Sequence, residues 1–168
     1  MHLLALLLIA APSPDYATTR GTAGISVSVS GQGNPTIGAT YFVFNDVAAR
    51  IDVGVNAPLT PGGPGQNMLY SLSGGLRIYP FKRNHAAVLV QPTITAGREN
   101  SPAVSAESAF FFLFGAGVGA EYFFTSNFSA SAVLQLALKF ANLAGPASTP
   151  IYTTVSTATS GLSANIYF

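Results

Sequence analysis

The chain has 168 residues, and only 8% of them are charged, well below the roughly 25% that is usual for soluble proteins. A net charge of +1 excludes the concentrated basic surface that nucleic-acid binding needs, and the lack of cysteine excludes disulfides and thiolate chemistry. The sequence also lacks a run of about 18 apolar residues, so it offers no membrane-spanning helix. Low charge without such a helix is typical of a β-barrel in a membrane.

The N-terminal stretch Met1–Ala11 is rich in leucine and predicts the apolar core of a secretory signal. Only a histidine precedes the leucines, and Pro12 and Pro14 disturb the small-residue cleavage positions. We expect a signal peptide over residues 1–17, with its cleavage site left open, and a single domain over residues 18–168. A short core helix is the alternative interpretation of the N-terminal stretch.

Eight stretches of the remaining chain alternate apolar with polar or small residues. Since side chains at i and i+2 share one face of a strand, each stretch predicts a strand with one apolar face. The alternation is clearest between Phe128 and Phe140, where every second residue is apolar. The predicted strands cover residues 23–32, 35–44, 48–57, 67–81, 86–98, 108–124, 128–140 and 150–168.

The connections between these strands fall into two kinds. Three are short and polar, at 45–47, 82–85 and 125–127. Three are longer and rich in Pro, Gly, Ser or Ala, at 58–66, 99–107 and 141–149, whereas the first outer loop, at 31–35, is tight. Short turns on one side and longer loops on the other are expected of an outer-membrane barrel, with both chain ends on the short-turn side.

The distribution of charge between the two faces of the strands tests the prediction of a membrane barrel more sharply than strand length does. The apolar face of the predicted strands carries no charged residue, whereas Arg50, Asp52, Arg77, Glu121 and Lys139 fall on the other face. A charge on a lipid-facing surface costs about 2–4 kcal/mol at the membrane midplane. A soluble β-sandwich would show the opposite pattern, with apolar side chains inside and charges outside.

Four of these inward residues, Arg50, Asp52, Arg77 and Glu121, lie at similar distances from a short turn. We therefore predict a neutral cluster of two guanidiniums and two carboxylates, because burying any of them unpaired is very unfavourable. A gate or proton pathway is the functional interpretation. A structural plug is favoured, because an eight-stranded barrel is only wide enough to be filled by side chains.

Signatures of enzymes and cofactors are weak. The stretch Gly115–Ala120 fits a loose dinucleotide pattern, but no helix pattern follows it, and its glycines are expected to make room in a narrow lumen. His85 is the only histidine outside the leader, and no metal-binding cluster is present. We expect no enzyme activity, no cofactor and no metal. The charges Arg98, Glu99 and Glu107 are interpreted as solvated residues of the third outer loop.

Aromatic residues gather near the predicted strand ends, as expected of rings at the headgroup level. The group on the short-turn side comprises Phe44, Tyr79, Phe81, Tyr122, Phe123, Phe124, Phe128, Tyr167 and Phe168. The group on the loop side comprises Tyr70, Phe110, Phe111, Phe112, Phe140 and Tyr152. Ordinary core packing is the alternative explanation for both groups.

Three segments resemble a known group of proteins: Ser73–Phe81, Gly115–Asn127 and the terminal Ile166, Tyr167 and Phe168. They are similar to the small eight-stranded outer-membrane β-barrels of the outer membrane protein A transmembrane-domain, opacity-like and outer membrane protein W/X type. The resemblance covers roughly residues 20–168. It implies that the terminal residues are the signal read by the barrel-assembly machinery. The catalytic His/Ser arrangement of the lipid-modifying members is not matched.

These patterns together predict an all-β fold, an eight-stranded antiparallel up-and-down transmembrane β-barrel in the bacterial outer membrane. The expected role is structural or interactive, with outer-membrane lipid, the assembly machinery and an envelope protein at the outer loops as partners. A narrow pore for ions or small solutes is the first alternative. A soluble lipocalin-like ligand-binding barrel is the second, and an enzyme acting on lipid is the third.

Overall fold

The computed structural model describes residues 17–30, 35–56, 69–100, 108–141 and 152–168, which contain eight strands in a closed barrel. None of the described residues belongs to a helix long and apolar enough to cross a membrane. All eight predicted strands are present, and their bounds differ from the prediction by two residues at most. The strands are β1 (Ala23–Ser30), β2 (Pro35–Phe44), β3 (Val47–Asn56), β4 (Leu69–Arg83), β5 (Ala86–Asn100), β6 (Ser108–Phe123), β7 (Phe128–Ala141) and β8 (Tyr152–Tyr167).

Each strand pairs in antiparallel fashion with the next one along the chain, and β8 returns to pair with β1. Ile25, for example, lies opposite Ala39 of β2 on one side and Ile166 of β8 on the other. Closure leaves no strand edge unpaired, which removes the exposed donors and acceptors that an open sheet presents. The predicted up-and-down barrel is therefore confirmed.

Tight turns gather at one end of the barrel, which we call the short-turn end. Asp46 in the β2–β3 turn and Asn84 in the β4–β5 turn have φ values of 64° and 53°. Asp and Asn tolerate this left-handed region better than most residues, which explains their place in two-residue turns. Both ends of the sheet meet here, because Ala23 and Phe168 exchange backbone hydrogen bonds of 3.1 and 2.9 Å.

The opposite end, which we call the loop end, carries the predicted outer loops. Residues 31–34, 57–68, 101–107 and 142–151 lie outside the described residues, and so do most of these loops. The prediction that Arg98 and Glu99 belong to the third outer loop is wrong, because the β5–β6 ladder continues to the pair Asn100 and Ser108. Arg98 is instead exposed on the outer face of β5, opposite Tyr70 and Phe110. Glu107 lies outside the described residues.

The two faces of the barrel wall differ as the alternation predicts. On β7, exposed Ala132, Leu134, Leu136 and Leu138 alternate with buried or half-buried Ser131, Val133, Gln135 and Ala137. The same inverted pattern runs through the neighbouring strands, so that Ile37 and Leu162 are 68% and 67% exposed while Ser26 and Asn165 are buried. The barrel therefore has an apolar exterior and a polar lumen.

Two bulges near the short-turn end break the alternation. The register shifts between Phe42 and Phe44 in the β2–β3 pair and between Ile78 and Phe81 in the β4–β5 pair. An extra residue in one strand reverses the faces of the residues that follow it. Phe44 and Phe81 are accordingly exposed on the exterior, at 65% and 58%, although strict alternation places both in the lumen.

Candidate functional site

The carboxylate of Glu121 on β6 is the acceptor at the centre of a buried network near the short-turn end, and its side chain is 0% exposed. Its Oε1 accepts hydrogen bonds from Tyr167 Oη at 2.7 Å, from Asn165 Nδ2 at 3.2 Å and from Ser129 Oγ. Its Oε2 accepts a further bond from Tyr79 Oη at 2.7 Å. Donors from β4, β7 and β8 thus replace the water that an ionised carboxylate loses on burial.

The guanidinium of Arg77 on β4 balances this carboxylate and is itself 1% exposed. Its Nη1 lies 3.2 Å from Glu121 Oε2. The remaining nitrogens donate to Gln91 Oε1 at 3.1 Å, Ser131 Oγ at 3.1 Å and Ser163 Oγ at 3.3 Å. Arg77 therefore ties β4 to β5, β6, β7 and β8 across the lumen, and the buried pair is neutral as a unit.

A second ion pair lies on the β1–β3 side of the lumen. Arg50 Nε and Nη2 donate to both oxygens of Asp52, at 2.7 and 2.6 Å, and Nη2 also donates to Ser28 Oγ at 2.8 Å. This is the bidentate geometry in which an arginine–carboxylate pair is strongest. Two buried atoms near it, Arg50 Nη1 and Ser26 Oγ, have no protein partner among the described residues.

The structure brings the four predicted lumen charges together only in pairs. All four point inward, as the alternation indicates, but Arg50 pairs with Asp52 and Arg77 pairs with Glu121. In the described part of the chain no ion pair joins one couple to the other. Mutual pairing therefore takes the form of two separate ion pairs, because Arg50 and Asp52, two residues apart on one face of β3, neutralise each other locally.

Gly38 on β2 leaves the space that the second pair occupies. A Cβ atom built at Gly38 meets the Asp52 carboxylate and lies 2.8 Å from Ser26 Oγ. We expect Gly38→Ala to lower the free energy of unfolding by about 1–3 kcal/mol, because it overpacks this wall. A Cβ at Gly74 on the exterior meets nothing within 4 Å, so Gly74→Ala is the matched control. Urea titration of both variants tests this expectation, and equal losses would contradict it.

Below the ionic groups, four aromatic rings fill the lumen at the short-turn end. We call Phe42, Tyr79, Phe123 and Tyr167 the aromatic plug, and each is at most 3% exposed. Phe42 lies 5.8 Å from Tyr79 and 6.0 Å from Tyr167, and Phe123 lies 6.2 Å from Tyr167, between ring centroids. Such offset and tilted arrangements are favourable for aromatic rings.

The assignment of Tyr79, Phe123 and Tyr167 to an exterior girdle is wrong. Each of them neighbours an outward residue on its strand, so the period-two alternation itself indicates that they point inward. These three residues also lie near strand ends, and that position alone favours an exterior girdle. The other short-turn aromatics lie on the exterior, where Phe44, Phe81, Phe124, Phe128 and Phe168 are exposed.

The loop-side aromatic group divides in the same way. Tyr70 and Phe112 are exposed on the exterior, whereas Phe111 is 4% exposed inside the barrel. The ammonium of Lys139 lies 4.7 Å from the centroid of the Phe111 ring, a cation–π contact. The side chain of Tyr152 lies outside the described residues.

The three C-terminal residues predicted to form the assembly signal alternate in face. Ile166 and Phe168 are exposed on the exterior, and Tyr167 belongs to the aromatic plug. Their recognition by the assembly machinery stays a prediction.

A short segment before β1 closes the short-turn end. We call residues 17–22 the mouth strap, in which Ala17 and Thr18 are 8% and 1% exposed. Thr18 Oγ1 donates to Asp46 Oδ1 at 2.8 Å, and Lys82 Nζ donates to Thr18 Oγ1 at 3.0 Å and to the same Asp46 oxygen. The backbone N–H of Asp46 donates to the Thr18 carbonyl at 2.8 Å. Asp46 and Lys82 therefore fasten the strap over the aromatic plug.

Removal of the Asp46 side chain should release the mouth strap. We expect Asp46→Ala to speed hydrogen exchange at residues 17–22 and to lower stability by about 1–3 kcal/mol, since two donors lose their acceptor. Asp46→Asn keeps an acceptor oxygen and tolerates the positive φ, so a smaller effect is expected. Hydrogen exchange at residues 17–22, measured by mass spectrometry in both variants, tests this expectation. Unchanged exchange in Asp46→Ala would mean that the strap is held by other contacts.

The described ranges hold no group of three or more His, Cys, Asp or Glu side chains that could bind a metal ion. His85 Nδ1 is bonded to the Phe123 carbonyl at 3.0 Å. The glycines of β6 make room in the lumen, as predicted. A Cβ at Gly115 would meet the Gln135 amide, and a Cβ at Gly117 would lie 2.6 Å from Val133.

Comparisons with known proteins identify the fold. The N-terminal β-barrel domain of OprF from Pseudomonas aeruginosa matches with a TM-score of 0.62 and 17% identity, over 89% of this chain and 98% of that domain. Neisserial surface protein A matches with a TM-score of 0.52 and 18% identity, over 87% of this chain and 92% of that one. No protein-family model and no curated relative matches the sequence. The chain therefore has the fold of the small eight-stranded outer-membrane β-barrels, the group that its sequence resembles.

Proposed function

We propose that this chain is an integral protein of the bacterial outer membrane, with a structural and interactive role and no enzymatic activity. The observation that supports this most is the inverted wall, with exposed apolar residues such as Ile37 and Leu134 outside and two ion pairs inside. In water, so large an apolar exterior would favour aggregation, whereas lipid solvates it. A soluble lipocalin-like barrel, which buries its apolar face in the lumen, does not fit this wall.

Buried side chains fill the lumen at the short-turn end, which supports a filled barrel over the narrow pore. The aromatic plug and the Arg77–Glu121 pair above it are buried, and so are Ala17 and Thr18 of the mouth strap below it. We expect the purified, refolded barrel to show no steady single-channel conductance in planar bilayers. Phe42→Gly combined with Tyr79→Ala, which empties half of the plug, is expected to produce channels and serves as the positive comparison. Steady conductance by the unaltered protein would favour the narrow pore instead.

The interactive part of the proposal concerns the loop end. Because Ala17, Phe168 and the tight turns share one end, we assign that end to the periplasm, and the longer loops then face the cell exterior, as is usual for such barrels. We expect an envelope protein to co-purify with the intact chain from cross-linked envelopes, and to be lost when the loop at 58–66 is replaced by a short Gly/Ser linker. Capture that survives the replacement of each outer loop in turn would argue against a loop-mediated role.

A further inference from the structure

A small notch lies on the barrel exterior at the short-turn end, across three adjacent strands. We call Arg83, Ala86 and Tyr122 the headgroup notch. Arg83 on β4 lies opposite Ala86 on β5, and Ala86 lies opposite Tyr122 on β6. Since neighbouring strands lie about 4.8 Å apart, the backbones of Arg83 and Tyr122 are roughly 10 Å apart, with only a methyl side chain between them. That gap is wide enough to admit a phosphate group.

The polar groups at the two sides of the notch are available to a ligand. In the part of the chain that the structure describes, neither the Arg83 guanidinium nor the Tyr122 hydroxyl makes a hydrogen bond or ion pair. The Tyr122 ring is held by His85, stacked at 5.8 Å, and by Phe124, edge-on at 5.1 Å. The phenol is therefore fixed in place while its donor stays free, which lowers the entropy lost on binding.

The level of the notch along the barrel axis matches a membrane boundary. On β5 the outward residues between Ala86 and Arg98 are all apolar, namely Val88, Val90, Pro92, Ile94 and Ala96. This segment spans about 40 Å along a strand, or about 30 Å along the axis at a tilt of about 40°. The hydrocarbon core of a bilayer is also about 30 Å thick. Arg83 and Arg98 therefore lie at the two edges of the apolar belt, where lipid headgroups begin.

The charge around the notch suits an anion. Arg83 is exposed at the short-turn end. Among the described residues of the strap and turns, Asp46 carries the only side-chain carboxylate, and that carboxylate is bonded to Lys82. The exposed ring of Phe81, which lies opposite Val88, flanks the notch on the apolar side. A ligand with an anionic head and an apolar tail meets complementary groups on both sides.

We propose that the headgroup notch binds the phosphate of an anionic phospholipid in the inner leaflet of the membrane, an inference that rests on the proposed function. The Arg83 guanidinium donates two hydrogen bonds to phosphate oxygens, and the Tyr122 hydroxyl donates a third. The Phe81 ring packs against the glycerol and the upper acyl chains. The notch thereby fixes the depth of the barrel in the bilayer.

The test compares lipid selectivity in bilayers. The full chain is reconstituted in phosphatidylcholine vesicles doped with spin-labelled phosphatidylglycerol, and the motionally restricted lipid is measured by electron paramagnetic resonance. We expect Arg83→Ala to lower the preference for phosphatidylglycerol roughly fivefold, because the hydrogen bonds from its guanidinium to the phosphate are lost. Tyr122→Phe should give a smaller loss and Arg83→Lys a partial retention. Arg20→Ala, which removes an exposed arginine outside the notch, should leave the preference nearly unchanged.

Each outcome has a distinct meaning. The proposed lipid site would be contradicted if Arg83→Ala and Arg20→Ala lowered the preference for phosphatidylglycerol equally. It would also be contradicted if the unaltered protein showed no such preference. Displacement of the labelled lipid by inorganic phosphate at matched ionic strength would show that the notch takes free phosphate and not a lipid. Failure of the unaltered chain to insert, seen as the absence of heat-modifiable migration on gels, would instead defeat the proposed function. If the chain inserts but shows no lipid selectivity, the proposed lipid site is wrong, whereas the proposed function is unaffected.

Discussion

Arg77→Met should be among the most damaging single substitutions in this barrel. It leaves the Glu121 carboxylate in a fully buried site without its positive partner, while the neutral donors Tyr79 and Tyr167 remain. Breaking a buried ion pair by removing one partner typically costs about 3–5 kcal/mol. Combining Arg77→Met with Glu121→Gln removes both charges, so the double variant should be more stable than Arg77→Met alone. Urea titration of the refolded barrel in lipid vesicles measures both quantities.

The second ion pair provides the control for this experiment. Asp52 bonds to Arg50, and no ion pair joins it to Arg77 or Glu121 in the described lumen. The losses caused by Arg77→Met and Asp52→Asn should therefore add within about 0.5 kcal/mol. Strong coupling between these two substitutions would show that the four charges act as one cluster, contrary to the geometry.

Leu134→Arg should prevent stable insertion of the barrel. Leu134 is 64% exposed on the exterior of β7, midway between Phe128 and Phe140 at the two ends of the apolar face. A cation in the middle of the lipid-facing belt costs about 2–4 kcal/mol, which is a large share of the stability of a domain. The expected result is a marked loss of folded protein in the membrane fraction. Heat-modifiable migration on gels measures the folded share.

Two matched variants separate the effect of charge from that of position. Leu134→Phe keeps an apolar side chain at the same site and should assemble normally. Gln135→Arg places the same charge one residue away, in the lumen, where it loses the bond to Thr93 but stays among polar groups. It should be milder than Leu134→Arg. Equal damage from both arginines would contradict the assignment of the two faces.

The barrel wall could be predicted from the sequence because its physics is local. A period of two fixes which face each residue occupies, so the outward position of Leu134 and the inward position of Glu121 follow without knowledge of the neighbouring strands. The tight turns follow from residues such as Asp46 and Asn84, which tolerate a left-handed backbone. Closure of the sheet follows because lipid does not tolerate an open edge.

The contacts between inward side chains depend on distances across the barrel. The period-two alternation indicates which side chains point inward, but it does not indicate which of them meet. The pairing of Arg77 with Glu121 joins residues 44 positions apart, and the period of two indicates only that both side chains point inward. The bulges that move Phe44 and Phe81 outside depend on a register shift with the neighbouring strand. The mouth strap is stabilised by Asp46 and Lys82 from two different turns. The sequence of the strap itself does not alternate apolar with polar residues, so the pattern that predicted the strands does not indicate an ordered segment here.

The aromatic plug shows how two predictions from one sequence can conflict. Tyr79 and Tyr167 lie near strand ends, which favours a girdle, and they also lie on the inward register, which favours the lumen. The register is the stronger constraint, because a side chain cannot change face without a bulge. Their hydroxyls then reach Glu121, both at 2.7 Å, so the plug also completes the solvation of the buried carboxylate.

The inverted wall is tested most directly by the accessibility of β7 in bilayers. The chain has no cysteine, so single cysteines can be introduced from Phe128 to Phe140 and labelled with a nitroxide without background. Relaxation by oxygen, which concentrates in lipid, should peak at even-numbered positions and be low at odd-numbered ones. Odd-numbered positions should instead show the stronger relaxation by a water-soluble nickel complex near the loop end. Oxygen accessibility that peaks at odd-numbered positions, or that lacks a period of two, would contradict the membrane barrel described above.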